Sequence, residues 1–201
     1  MELQEGEPLE ADEFDALDLD DDADLDGGII PDDYDDLDDY DDYEDASPDE
    51  IDFAVAMYRE DGAPIVMELA PAFANDLDEL IAQLRRLPGD AGALGAVSIA
   101  GEFFVLCRVR GRTVQVLLND GGAANDWPIA RDVVDYLGID VPDPDDDIEP
   151  VGDLGILVDQ GVSEFDMDNI VDDIDEDSDE LVRQIVKQLK FDTQFNKVIG
   201  R

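Results

Sequence analysis

Three arginines stand close together in a chain that is otherwise strongly acidic. Arg108, Arg110 and Arg112 surround Gly111, and side-chain alternation along a strand predicts that Arg108 and Arg110 share one face. Guanidinium groups bind carboxylates through two parallel hydrogen bonds. The cluster therefore indicates either an ordinary solvated hairpin face with cross-strand pairing, or an anion patch that contacts an acidic segment, namely the chain's own acidic tail or a partner.

The amino-acid composition restricts the catalytic chemistry that the chain could perform. The sequence has no histidine and one cysteine, Cys107, which excludes Ser-His and Cys-His nucleophilic sites, imidazole metal ligands and an internal disulfide. Carboxylates could still form an acid and base pair or a magnesium site, and the candidates near predicted strand ends are Glu102, Asp120 and Asp126. Because 57 acidic residues produce chance pairs, we predict no catalytic residue, no metal site and no cofactor.

The formal charge of -45 is unevenly distributed along the 201 residues. The net charge is -25 over residues 1–50, -7 over 51–141 and -13 over 142–201. The first segment contains too few apolar residues to offset the chain entropy lost on ordering, so we predict a disordered acidic tail. A partial calcium-loop pattern from Asp22 to Asp33 is interrupted by Pro31, and we interpret it as a chance match.

This charge also bears on partners and location. It repels nucleic acid phosphates and anionic membranes, so we predict no direct nucleic acid binding and no membrane binding. The first residues lack the basic and apolar regions of a secretory signal, and no long apolar run occurs. We therefore expect a cytoplasmic protein.

The apolar pattern predicts strands and helices that would position the arginines. Short apolar runs separated by turns predict five strands, near residues 53–58, 65–69, 93–100, 102–110 and 113–118. Leucine and isoleucine at helical spacing predict helices over 77–87 and 129–137. This order predicts an α+β fold, with an antiparallel sheet of about five strands and helices on one face.

The boundary between the last strand and its helix contains a Gly-rich corner and the only tryptophan. Gly121 and Gly122 lack the lysine of a phosphate-binding loop, so the corner is interpreted as a structural turn. Trp127 precedes Pro128 at the helix start, where it could be a core anchor or part of a partner surface.

Composition further divides the chain. We predict a disordered acidic tail over 1–50, an α+β domain over 51–141, an acidic Pro-rich linker over 142–150 and a small helical segment over 151–201. The pattern leaves open whether the C-terminal helices dock on the sheet.

Four stretches together resemble a known family. They are FAVAMYREDG, GEFFVLCRVRGR, LLNDGGAANDWPIARDVVDYLG and PDPDDDIEPVGD. From about residue 52 to 201 the chain is similar to the actinobacterial tRNA adenosine deaminase-associated protein family. The family takes its name from the association of its members' genes with that of a tRNA-specific adenosine deaminase. The resemblance therefore implies a companion of that enzyme and transfers no catalytic residues.

The leading hypothesis is a non-catalytic acidic accessory protein that binds another protein, with the tRNA-specific adenosine deaminase as the partner that the resemblance implies. Its candidate partner-binding residues are Arg108, Arg110, Arg112 and Trp127. Two alternatives remain: a small carboxylate-based metal-dependent enzyme, and a nucleic acid mimic that inhibits a basic protein. The oligomeric state is left open.

Overall fold

The computed structural model describes residues 44–89, 91–143 and 148–200. One antiparallel sheet has the strand order β2-β1-β3-β4-β5-β6. The strands are β1 Ile51–Glu60, β2 Ala63–Glu68, β3 Ala93–Ile99, β4 Phe103–Arg110, β5 Thr113–Leu118 and β6 Val151–Gly152. The five predicted strands are confirmed, and the two-residue β6 is an addition to them.

Five α-helices accompany the sheet within the described residues, which confirms the α+β class. They are α1 Leu77–Leu84, α2 Pro128–Leu137, α3 Glu164–Val171, α4 Ser178–Gln188 and α5 Asp192–Ile199. Short 3-10 helices occupy Pro71–Ala74, Gly121–Asn125 and Val158–Gln160. The Gly-rich corner is thus a 3-10 helix, in which the Asp120 carboxylate accepts the Gly122 N–H at 2.8 Å.

The helices α1 and α2 pack against one face of the sheet, as predicted. Asp76 begins α1 by accepting the Glu79 N–H at 2.8 Å, and Gly138 ends α2 with a left-handed φ of 67°. A continuous core joins this face to both helices, and its members include Ala54, Val97, Val105, Leu80, Leu84, Ile129 and Val133. We refer to this side as the first face.

The C-terminal helices α3, α4 and α5 cover the opposite side of the same sheet, which we call the second face. Its core includes Val55, Leu94, Leu106, Met167, Val182, Ile185 and Phe195. Phe53 and Phe195 meet edge to face, with their ring centroids 5.1 Å apart. The helical segment predicted over 151–201 therefore docks on the sheet, and β6 joins its beginning to β5.

One glycine permits that last strand pairing. Gly152 has a φ of 110°, and a Cβ atom built at this position would lie 2.2 Å from the Val116 carbonyl oxygen. A side chain there would push β6 away from β5. The connection of the C-terminal segment to the sheet edge thus depends on a residue without a side chain.

The predicted acidic tail lies mostly outside the described residues, as do the calcium-loop pattern and residues 144–147 of the predicted linker. The described end of the tail packs on the domain. Ala46 is buried, and the Asn75 side chain hydrogen-bonds both its N–H, at 2.8 Å, and its carbonyl oxygen, at 3.1 Å.

Candidate functional site

Arg108 lies on β4 and points to the second face, where only 2% of its side chain is exposed. Its guanidinium donates to the Ile156 carbonyl oxygen at 2.6 Å and to the Ala91 carbonyl oxygen at 3.0 Å. It also forms a two-pronged ion pair with the Asp159 carboxylate, at 2.5 and 2.8 Å. Arg108 therefore fixes the chain after β6 to the centre of the sheet.

Arg110 lies two residues along the same strand, and its guanidinium donates to the same Asp159 carboxylate at 3.0 Å. This shared contact confirms that Arg108 and Arg110 lie on one face. Arg110 is 51% exposed, and Arg112 is exposed in the turn that follows. An accessible arginine patch thus narrows to Arg110 and Arg112, because Arg108 is covered.

The Asp159 carboxylate is held in its charged form by these arginines. Hydrogen bonding to Arg108, together with the charges of Arg108 and Arg110, lowers the pKa of Asp159 below the usual 3.8. Within the described residues, Arg108 and Arg110 contact Asp159, which belongs to the C-terminal segment and not to the predicted tail. The contact is a structural tie between the sheet and its second-face cover. Contact of the arginines with a partner stays a prediction.

Trp127 lies on the other side of the sheet and is half-buried. Its ring centroid is 5.8 Å from that of Phe103, and it packs against the first-face core. The structure therefore separates Trp127 from the arginines, which point to the second face. Its surroundings fit a core anchor at the start of α2.

The candidate catalytic side chains have structural surroundings. Cys107 is buried, and loss of hydration raises the pKa of its thiol to about 12. Asp120 caps the corner helix, while Glu102 and Asp126 are exposed. In the described part of the chain, no three histidine, cysteine or carboxylate side chains are grouped so that they could hold a metal ion.

A polar connection on the second face was not anticipated. The buried Ser98 and Ser178 hydroxyls lie 2.7 Å apart, and Ser98 also donates to Asp52 at 2.8 Å. The same Asp52 carboxylate accepts the Gly101 N–H at 2.8 Å. These bonds fix the start of α4 to β3 and to the turn between β3 and β4.

An exposed surface around α3 was also missed. Phe165 is 72% exposed and Ile174 is 73% exposed, and acidic residues lie on both sides of each. The acidic composition was visible in the sequence, but the exposure of these two side chains depends on how α3 docks.

None of the helices within the described ranges is long and apolar enough to cross a lipid bilayer.

The fold and the site define an acidic α+β protein whose arginine cluster binds its own C-terminal segment. The chain belongs to the family described as Rv3753c-like tRNA adenosine deaminase-associated protein, whose family model matches residues 52–192. It is 34% identical to Protein Rv3753c of Mycobacterium tuberculosis (strain ATCC 25618 / H37Rv) over 153 residues. This aligned region covers 74% of the present chain and 88% of the relative. No solved structure matches the chain. The resemblance inferred from the sequence is thereby confirmed.

Proposed function

We propose that the protein is a non-catalytic accessory protein that binds another protein, and that its partner is the tRNA-specific adenosine deaminase to which the family description refers. Membership of that family over residues 52–192 is the observation that carries the proposal. An associated protein with no activity of its own acts through contact with its partner.

The charge of the described surface supports binding to a basic protein face. Residues 164–180 include ten acidic and no basic residues, and most of these carboxylates are exposed. Complementary charge accelerates association and disfavours partners of the wrong sign. An enzyme that acts on RNA needs a basic face for the phosphates, and an acidic accessory protein can cover such a face.

The surroundings of the reactive side chains support the non-catalytic part of the proposal. A buried thiol with a pKa of about 12 is not a nucleophile at neutral pH. The Asp132 carboxylate, which is half-buried between α1 and α2, accepts the Leu77 N–H at 3.0 Å and so has a structural role. We also propose a cytoplasmic location, since a reduced free cysteine fits a reducing compartment.

The direct test mixes the purified full-length chain with the purified deaminase of the same organism. Isothermal titration calorimetry at 50 mM and 150 mM salt is expected to show binding that weakens as salt increases, because screening reduces the contribution of charge. Absence of binding at both salt concentrations would refute the physical partnership. A deaminase carrying charge-reversing substitutions on its basic face is the matched control, and it should bind less tightly.

A nucleic acid mimic is a second candidate, favoured by the charge of -25 over residues 1–50. The described residues begin at Glu44, so removal of residues 1–39 leaves all of them in place. A mimic that acts through the charge of its tail should then lose its salt-sensitive binding. An accessory protein with a specific surface should keep most of its affinity.

A further inference from the structure

The two most exposed large apolar side chains of the described residues lie at the two ends of one short helix. Phe165 is the second residue of α3, and Ile174 follows the last residue of α3 by three positions. Exposed apolar residues that occur singly are normal on protein surfaces. Here, two that remain nearly three-quarters exposed lie at the two ends of a helix about 12 Å long, within a strongly acidic stretch.

The helix between them is firmly positioned. Its inner side chains Met167, Ile170 and Val171 are buried in the second-face core. Ser163 begins α3 with a capping box, in which its hydroxyl accepts the Asp166 N–H at 3.1 Å and the Asp166 carboxylate accepts the Ser163 N–H at 3.3 Å. Phe165 is therefore presented by a fixed helix, which reduces the entropy lost when a partner binds, whereas Ile174 lies in the turn that joins α3 to α4.

The charge around these side chains selects the kind of partner. We define the α3 surface as Phe165, Ile174 and the exposed carboxylates at positions 164, 166, 168, 172 and 173. The acidic stretch continues to Glu180, whereas residues 181–200 contain four basic and one acidic residue, so the acidity is concentrated in one part of the second-face cover. A basic partner is attracted to the α3 surface, and an acidic one is repelled.

We propose that the α3 surface docks a basic protein surface that offers apolar pockets to Phe165 and Ile174. Apolar anchors supply most of the affinity of an interface, and charges around them direct the encounter. The inference rests on the proposed function in taking the deaminase as its first probe. Arg108 and Arg110, by contrast, already bind the Asp159 carboxylate of the same chain.

The first arm of the test measures affinity for the deaminase by calorimetry with full-length variants. Phe165→Ser combined with Ile174→Ser is expected to weaken binding at least about tenfold, since two anchors are lost. The matched control is Tyr136→Ser with Ile139→Ser, which removes two exposed apolar side chains, 48% and 42% exposed, from the end of α2. Circular dichroism checks that both variants remain folded. If the wild type binds and the α3 variant binds as tightly as the control, the α3 surface is refuted and the partnership stands.

A second arm tests the surface without the deaminase. An amphipathic peptide of repeated leucine and lysine is added to the isotopically labelled full-length protein, and amide chemical shifts are recorded. The largest changes are expected over residues 164–177 and should be lost in the Phe165→Ser, Ile174→Ser variant. Changes centred elsewhere, or retained in the variant, contradict the proposal. If the deaminase fails to bind while the peptide contacts 164–177, the proposed partner is wrong and the docking surface stands.

Discussion

The two faces of the sheet bury similar apolar cores but are covered in different ways. On the first face, α1 and α2 come from segments adjacent to the strands they cover. On the second face, the cover comes from the end of the chain and is tied to the sheet by Arg108 and by the Ser98–Ser178 contact. The second face therefore combines packing with directional polar contacts, and its outer side is the strongly acidic α3 surface.

The two faces also shift the pKa values of their carboxylates in opposite directions. On the second face, hydrogen bonds and charges from arginine lower the pKa of Asp159. On the first face, loss of hydration raises the pKa of Asp132, and the neighbouring charges of Asp76, Asp78 and Asp135 add to the effect. The ionised Asp159 carboxylate thus stabilises the second-face cover, whereas the ionised Asp132 carboxylate destabilises the first-face cover.

The largest predicted effect tests whether the two faces unfold together. Ile129 on α2 and Ile185 on α4 are both fully buried, one on each face. Replacing either with alanine is expected to reduce the free energy of unfolding by about 3 kcal/mol, through lost apolar contacts and a cavity. Urea unfolding followed by far-UV circular dichroism gives both values, and each variant should keep one transition.

A different result for the two isoleucine variants would show that the two faces unfold separately. If Ile185→Ala produces a separate early transition while Ile129→Ala does not, the C-terminal helices form a unit that opens on its own. The two faces would then differ in cooperativity as well as in chemistry. Equal losses in a single transition would join them into one folding unit.

Much of the fold was readable because the signal was local. Apolar runs separated by turns located five strands, and leucine spacing located α1. The helix α5 was missed because its eight residues include few apolar side chains, and β6 because two residues form no pattern. The sequence also contains a pattern that indicates that both faces of the sheet are covered. The strands β3 and β4 are apolar along nearly their whole length, which is typical of strands buried on both sides.

The arginine cluster was only partly predictable for a different reason. A two-residue alternation places Arg108 and Arg110 on one face, but it does not say whether that face is covered. The ion-pair partner Asp159 lies 51 residues further along the chain, beyond any local pattern. An arginine within the run Phe103–Val109 was the available hint, since a buried charge requires a partner.

A second prediction contrasts the buried and exposed arginines of the second face. Arg108→Ala is expected to reduce the free energy of unfolding by about 2 kcal/mol, because two backbone carbonyls and Asp159 lose their donor and a cavity remains. The matched variant Arg110→Ala removes a 51% exposed partner of the same carboxylate and should cost less than about 0.5 kcal/mol. Both values come from urea unfolding at pH 7. Equal losses would mean that Arg108 does not anchor the C-terminal segment.

The smallest predicted effect tests the opposite directions of the pKa shifts of Asp132 and Asp159. The pKa of Asp132 is raised in the folded protein, so folding is penalised once the pH exceeds the unfolded value near 3.8, and the penalty is complete above the folded pKa. Asp132→Asn keeps an acceptor for the Leu77 N–H and removes the charge, so it should stabilise the protein at pH 7 by about 0.5 kcal/mol. That gain should shrink as the pH falls towards 3.8.

The matched variant on the second face, Asp159→Asn, should show the reverse. The lowered pKa of Asp159 contributes stability that is present above pH 3.8 and is lost as the pH falls through the folded pKa. Asp159→Asn should therefore destabilise the protein at pH 7, and the difference from the wild type should decrease in acid. Urea unfolding of both variants and the wild type between pH 2.5 and pH 7 measures the two signs and the loss of each difference in acid. A loss of stability in both variants at pH 7 would show that the Asp132 carboxylate is needed as an acceptor more than its charge is penalised.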